Sequence, residues 1–444
     1  MNILKPKVCL IPVSNTFFGF ELAEKVREKA IDALRGLKID LISPSEKIVN
    51  RVDDAIKVCR RCVEEDADLT IVFFCSWSNE EVPNAIASEL GDQPLLLWSI
   101  PTPEELISPC GLVSAASNLK RMGRRFGYIF GSFDDQETLN RIHKYAMVSA
   151  AIKKLRRARI GIIGYNCPGM IDVTFSEIDV KKLGPEIVHL SLTDLLDRYE
   201  SIDEEEVMGD VEELMGKVGK IVEPSKKDII NAVRMYYALR EIVDSYKLDA
   251  ISVRCWPELR EKRGILPCYG LSRLSDDGVM GVCENDAFGA VTQLITYWLS
   301  GLPSFNGDLG AIYPDQNAIQ LWHCGAAATK LATSIKDVHI RPHAQVGVGV
   351  EMEFPLKPGK VTITRITRPI DGKFGILIAT GEALPVSPRL RGNPANVRLD
   401  VPLDRFLDAL VEGGVEHHLI MAYGDLSEEL KLLSEIMDLK PIIP

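Results

Sequence analysis

The chain has 444 residues, 46% hydrophobic and 26% charged, the composition of an ordinary globular protein of about three domains, which excludes collagen-like, disordered and disulfide-scaffold classes. The formal net charge is −11 with no dense Lys/Arg block, which excludes nucleic acid and anionic membrane as partners, because both require phosphate charge to be neutralised. No apolar stretch approaches the roughly 20 residues of a membrane-spanning helix, and Val8–Val13 is too brief for a signal-peptide core; with ten cysteines spread without framework spacing, this predicts reduced thiols and a cytoplasmic location.

The first third alternates apolar runs with amphipathic segments. Val8–Val13, a helical Phe20–Leu37, Ile39–Ile42, a helix over Asp53–Glu65 and Leu69–Cys75 form the βαβ signature of a parallel sheet, extended by Pro94–Ile100 and Gly127–Phe130. A long helix ends this part in the basic Lys153–Arg157. A second α/β pattern opens with Ala158–Tyr165 and continues through Ile187–Leu190, a helical Ser225–Tyr246 and Ala250–Arg254. The acidic segment from Asp203–Glu206 reads as a solvated helix face. From about Asp337 the character becomes β: Val346–Phe354, a Pro358-Gly359 turn, Val361–Thr367, an Asp371-Gly372 turn and Phe374–Thr380 predict an antiparallel meander, followed by a strand over Val415–Ala422 and a helix over Asp425–Met437. The predicted architecture is α/β: doubly wound α/β domains over 1–156 and 157–336, then a smaller, mainly antiparallel β domain over 337–444.

Glycine and cysteine motifs carry little chemistry here. Gly161-Ile-Ile-Gly164 and Gly347-Val-Gly349 lack the third glycine and the strand-turn-helix setting of a dinucleotide site, so no nucleotide cofactor is predicted. Cys59 and Cys62 lie within a helix, where Ala55, Ile56, Cys59, Cys62 and Val63 share one face, and they read as buried structural thiols.

The dense region is Arg254 to Lys330. Glu284, in Gly281-Val-Cys-Glu-Asn-Asp286, sits at the start of a helix and is either a ligand or a favourable charge at the positive end of the helix dipole. Asp308, in Pro303-Ser-Phe-Asn-Gly-Asp, is a ligand or a turn residue bonding its own backbone. His323, among apolar neighbours in Leu321-Trp-His-Cys-Gly325, is a ligand or a satisfied core histidine. His417 and His418 are adjacent on a strand, where successive side chains face opposite ways, so at most one should join a shared site. Two carboxylates with one or two imidazoles suit a divalent ion such as Mn²⁺ better than a structural zinc.

Taken together, Cys283-Glu-Asn-Asp, Phe305-Asn-Gly-Asp, Trp322-His-Cys-Gly and Glu416-His-His resemble the core motifs of the L-fucose isomerase and L-arabinose isomerase superfamily. The order of two α/β domains and a β-rich domain is similar too, as is the Arg159-Ile-Gly…Pro168-Gly-Met segment. The resemblance implies that Glu284 and Asp308 are metal ligands that also serve as the acid–base pair, that His418 is a third ligand, and that His323 is either a fourth ligand or lies behind the three. It implies Mn²⁺, or Co²⁺ or Mg²⁺, as cofactor and interconversion of a free L-fucose- or L-arabinose-type aldose with its ketose through an enediol. It further implies a homo-oligomer, trimer or hexamer, in which the first domain of one subunit covers the next subunit's site. Trp77, Asn15 and Phe17 on early loops, with Trp256 and Asn306, are then the candidate sugar contacts. Two other readings stand beside it: a metal-dependent epimerase or lyase using the same residues, and a non-catalytic sugar-binding or regulatory protein.

Overall fold

The structure is a computed structural model and describes residues 4–386, apart from 44, 46 and 102, and residues 390–444. The chain divides into two compact units within the helix that crosses Lys153 and Lys154.

The first unit runs β1 (Lys7–Val13), α1 (Phe20–Arg35), β2 (Asp40–Ile42), α2 (Val52–Glu64), β3 (Leu69–Phe74), α3 (Glu81–Leu90), β4 (Leu95–Ser99), α4 (Ser108–Arg121) and β5 (Gly127–Phe130), into α5 (Gln136–Arg157). Strands β1, β3 and β4 are buried almost throughout because helices cover both faces of their sheet. The order β2-β1-β3-β4-β5, all parallel, is a doubly wound sheet. Helix α2 buries Ala55, Val58, Cys59 and Cys62, the i, i+3, i+4, i+7 stripe, whereas Val63 falls beyond it and is 40% exposed, contrary to the face predicted. Cys62 is joined to Cys9 of β1 by a disulfide, so the expectation of uniformly reduced thiols is overturned for this pair. The parallel strand and its covering helix bring together two cysteines too far apart in sequence to read as a pair.

The second unit opens with β6 (Arg159–Ile163), α6 (Glu177–Leu183), β7 (Glu186–Leu190), α7 (Leu192–Ser201), α8 (Glu204–Lys217), β8 (Lys220–Ile221), α9 (Lys226–Tyr246), β9 (Ala250–Val253), α10 (Cys268–Asp276), β10 (Met280–Cys283) and α11 (Ala287–Ser300). Strands β10-β9-β6-β7 form a second parallel sheet. Helix α9 starts at a capping box: the Ser225 Oγ accepts from the Asp228 amide and the Asp228 carboxylate accepts from the Ser225 amide.

Next come β11 (Phe305–Tyr313), β12 (Ala318–His323), β13 (His339–Arg341), β14 (Glu351–Glu353), β15 (Gly359–Ile370), β16 (Lys373–Leu384), β17 (Asn393–Leu399), α12 (Leu403–Glu412), β18 (His418–Tyr423), α13 (Ser427–Met437) and β19 (Lys440–Ile442). The order β15-β18-β11-β12-β17-β16, antiparallel throughout, returns on itself through a β15–β16 pairing and so makes a closed six-stranded barrel, with β19 added in parallel to β16. Closure leaves these six strands no open edge. Strands β11 and β12 join this barrel although they precede residue 337. The strand predicted over Val346–Phe354 shrinks to β14, because Gly347 and Gly349 take φ of 68° and 65° and belong to a loop. Helix α11, buried nearly all round, packs against β15 and β18 on one side and β9 and β10 on the other, welding the barrel to the parallel sheet. Among the described residues no helix is long and apolar enough to cross a membrane.

Candidate metal centre

Strand β10 ends at Cys283, and the chain turns through Glu284 (φ 65°) and Asn285 (φ 58°) before α11. Two consecutive non-glycine residues in the left-handed region cost roughly 1–3 kcal/mol each, so the turn needs an anchor. The fully buried Asn285 provides it, its Nδ2 donating to the carbonyls of Ile163 (3.0 Å) and Tyr165 (2.7 Å) at the end of β6. The helix cap is Asp286, whose Oδ1 accepts the Gly289 amide at 2.8 Å, so Glu284 lies in the turn ahead of the helix rather than at its first residue.

The barrel supplies the remaining groups from three neighbouring strands. Register sets Asp308 of β11 directly opposite His418 of β18, and opposite Trp322 of β12, whose last residue is His323. His418 Nε2 is 3.1 Å from Glu284 Oε2 and 3.5 Å from Asp308 Oδ1, and His323 Nε2 is 3.8 Å from Glu284 Oε2. Donor atoms of Glu284, His323 and His418 all lie within 4.8 Å of one another, as do those of Asp308, His417 and His418. His417 therefore approaches the site as well, contrary to the expected alternation. It precedes the first residue of β18, so the pleat does not govern it, and its backbone amide and Nδ1 both bond to Asp172 Oδ2, at 3.1 and 2.6 Å.

The site grades from closed to open. His418 is fully buried, while the side chains of Asp308 and His417 keep 34% and 38% of their exposure, so the centre is open on their side. Burial alone would raise the Glu284 carboxyl, but the facing imidazoles of His323 and His418 hold it at about 2. Burial alone would lower His418, but Asp286 and Glu284 raise it to about 9.

A divalent cation fits this donor set. Asp308 Oδ1 is buried without a hydrogen-bond partner among the described residues, and two carboxylates with two imidazoles form the oxygen- and nitrogen-rich environment that Mn²⁺ accepts.

The layer behind the site was not read from sequence. His418 Nδ1 donates to Asp286 Oδ2 at 2.9 Å, which leaves Nε2 facing Glu284 and Asp308. Asp286 in turn takes two bonds from the fully buried Arg365 of β15, Nη2 to Oδ1 being 2.9 Å, and Arg365 Nε reaches Glu416 Oε2 at 3.2 Å. Glu416 Oε1 accepts the Arg368 amide at 2.9 Å. The one sequence signal for Asp286 is an aspartate standing just before an apolar helical run.

Of the candidate sugar contacts, Asn15, Phe17 and Trp77 meet in the first unit, at the C-terminal ends of β1 and β3. The Asn15 amide donates to the Trp77 carbonyl at 2.9 Å, and Asn15 Oδ1 accepts the Phe17 and Phe18 amides at 2.9 and 3.1 Å. Phe17 is 81% exposed. In the second unit, Trp256 packs on Cys255, Leu266 and Cys268 with the Arg260 guanidinium 5.3 Å from its ring. Asn306 stands two residues before Asp308 on β11, with neither polar side-chain atom hydrogen-bonded to a described residue.

Residues 9–156 match the family described as fucose/sulfoquinovose isomerase, N-terminal domain. Over 440 residues the chain is 28% identical to the sulfoquinovose isomerase of Priestia megaterium (strain ATCC 12872 / QMB1551), with 98% of each chain covered. It is 26% identical to the sulfoquinovose isomerases of Alkalicoccus urumqiensis and Clostridium sp. (strain MSTE9), again with 98% of each chain covered. These matches support a relation to the fucose isomerase-like superfamily. That relation agrees with the motifs around Glu284, Asp308, His323 and His418, all of which lie beyond the family match over 9–156.

Proposed function

We propose that this protein is a divalent-metal-dependent aldose–ketose isomerase acting on a free, unphosphorylated sugar, with Glu284, Asp308, His418 and His323 holding the ion, Mn²⁺ first among candidates. The observation that carries the reading is the convergence of these side chains from β10, β11, β12 and β18 on one half-open point.

An ion bound there supplies Lewis acidity to the sugar's carbonyl and adjacent hydroxyl oxygens, where negative charge develops. Isomerisation moves a proton between neighbouring carbons, which needs a base and an acid in reach. Asp308, the more open carboxylate, with an oxygen that no described residue hydrogen-bonds, takes the proton from C2 and returns it to C1. Glu284, held ionised between two imidazoles, faces the hydroxyl oxygens and passes the proton between O1 and O2. His418, locked by Asp286, and His323 keep these carboxylates in place.

The substrate proposed first is a sulfonated aldose, in view of the relatives called sulfoquinovose isomerase, with L-fucose- and L-arabinose-type sugars next. A cavity of about 760 Å³ at the C-terminal ends of β6, β7 and β9 is lined by Arg254, Tyr165, Asn166 and, at the start of α7, Ser191 and Thr193. Arg254 is paired with Glu258 there, but its Nε is buried without an acceptor among the described residues, so it has a donor to spare for an anionic tail. We further propose a homo-oligomer, with Asn15, Phe17 and Trp77 of each subunit offered to a neighbouring site.

The test is conversion of a panel of free sulfonated, 6-deoxy and pentose aldoses, run with Mn²⁺, with chelator and with Glu284→Gln. Metal-dependent ketose formation that Glu284→Gln abolishes supports the reading. Epimer or cleavage products in its place would overturn isomerisation.

A further inference from the structure

A second group of metal-binding side chains lies behind His323. Cys324 follows His323 at the end of β12, Cys268 opens α10, and His343 stands in the loop after β13. All three are wholly or largely shielded from solvent, and their two sulfurs and a ring nitrogen lie within 4.8 Å of one another. The buried Cys283 thiol, one residue before Glu284, is also an electrostatic neighbour of Cys324.

A packed trio of thiols can be ordinary core. The neighbouring carboxylate cannot be explained that way. Glu351 of β14 is fully buried and occupies the space in which a side chain at Gly325 would project, beside Cys324. Its Oε2 accepts the Ala344 amide at 2.8 Å, but its Oε1 has no hydrogen-bond partner among the described residues, and Arg391 Nη2 stands off at 3.8 Å. Leaving a buried carboxylate oxygen unmatched is costly unless the group keeps its proton or a positive charge arrives nearby.

We propose that Cys268, Cys324 and His343 form a second metal site, distinct from the candidate catalytic centre, that takes a thiophilic divalent ion, Zn²⁺ above all, with the charge of Glu351 in the surrounding layer. Sulfur donors select zinc over Mn²⁺ or Mg²⁺, whereas the oxygen-rich set at Glu284 and Asp308 does the reverse. Binding releases the two thiol protons to solvent, so the neutral cluster becomes two thiolates balanced by the dication. The Gln345 amide donates to His343 Nδ1 at 3.2 Å, a contact that ligation through Nε2 would leave in place. Cys324 Sγ is also 3.4 Å from His323 Nδ1. A zinc-bound sulfur accepts a hydrogen bond from Nδ1–H, which fixes the tautomer in which His323 Nε2 is bare and faces Glu284.

The site stands apart from the isomerase reading, because its test is spectroscopic. Metal-stripped protein is titrated with Co²⁺ as probe, alongside Cys268→Ser, His343→Asn and Glu284→Gln. Thiolate ligation gives an intense sulfur-to-cobalt charge-transfer band in the near ultraviolet, which an oxygen and nitrogen site lacks. The expected result is that the band appears in the natural protein, survives in Glu284→Gln, vanishes or falls severalfold in Cys268→Ser and shifts in His343→Asn, while far-ultraviolet circular dichroism shows all four folded. Zn²⁺ added beforehand blocks the band and raises the melting temperature of the natural protein but not of Cys268→Ser. Absence of the band in the natural protein, or its survival in Cys268→Ser, overturns the proposal. A band lost in Glu284→Gln also overturns it, by assigning the sulfur to the first centre.

Discussion

The imidazole of His418 and the carboxylate of Asp286 lie 2.9 Å apart where neither is touched by solvent. Asp286 thus does two things: it caps α11, and it holds the ring of a candidate metal ligand. Carboxylates in this position behind a histidine ligand orient the ring and raise its basicity, and their loss lowers metal affinity or activity roughly 10- to 100-fold. Asp286→Asn should reduce both by about that factor. Because it also removes a charge from a buried pair with Arg365, it should destabilise the second unit by roughly 3–5 kcal/mol. Calorimetric Mn²⁺ titration and urea denaturation measure the two effects, and an unchanged affinity would show that Asp286 only caps the helix.

What could be read from the chain separates along one physical line. Elements made by local pattern were legible: the buried strands β1, β3 and β4, the helix over Ser225–Tyr246 and the Asp371-Gly372 turn between β15 and β16. The barrel was not, because its closure depends on β15 pairing both β16 and β18, and β11 reads locally as a turn with half-exposed side chains. Glu284, Asp308, His323 and His418 were visible as motifs because each carries its own chemistry. Arg365 and Asp172 were invisible, since an arginine in a strand and an aspartate in a loop acquire meaning only from partners brought up by folding, Asp286 for one and His417 for the other.

Proton transfer through Asp308 has an isotopic consequence. If a carboxylate takes the proton from C2 and returns it to C1, ketose formed in D₂O should carry solvent deuterium at C1. Asp308→Asn should lower turnover about 10²- to 10⁴-fold and lower deuterium entry in step. Mass spectrometry of the product decides the matter: full turnover without deuterium would mean that hydrogen moves directly between the carbons and that Asp308 is not the base.

Stability should vary with pH through Glu351. Burial pushes its carboxyl from the ordinary 4.5 up to about 7. The folded chain then holds this proton more tightly than the unfolded chain, so the stabilisation is complete below about pH 4.5 and is lost as pH rises through 7. In metal-stripped protein the loss from this group between pH 4.5 and 7.5 should be roughly 3 kcal/mol. Glu351→Gln cannot ionise and should lack that part of the slope. Asp249 and Asp276, also raised by burial, slope the same way in both proteins and cancel in the difference. Denaturant melts at several pH values report that difference, and parallel curves for the two proteins would refute the assignment.

The left-handed turn at Glu284-Asn285 offers the sharpest separation of conformation from hydrogen bonding. Asn285→Ala and Asn285→Gly both delete the bonds to the Ile163 and Tyr165 carbonyls, at a cost of roughly 1–3 kcal/mol. Alanine must also adopt φ near 58°, which glycine does freely. The alanine variant should therefore be less stable than the glycine variant by about 1 kcal/mol, even though alanine is ordinarily the stiffer and more stabilising residue. Activity should fall in both, because the turn that aims Glu284 at His418 loses its tether to β6. If the order of stabilities is reversed in thermal melts, the turn relaxes when Asn285 is removed, and the position of Glu284 must be set by its imidazole partners instead.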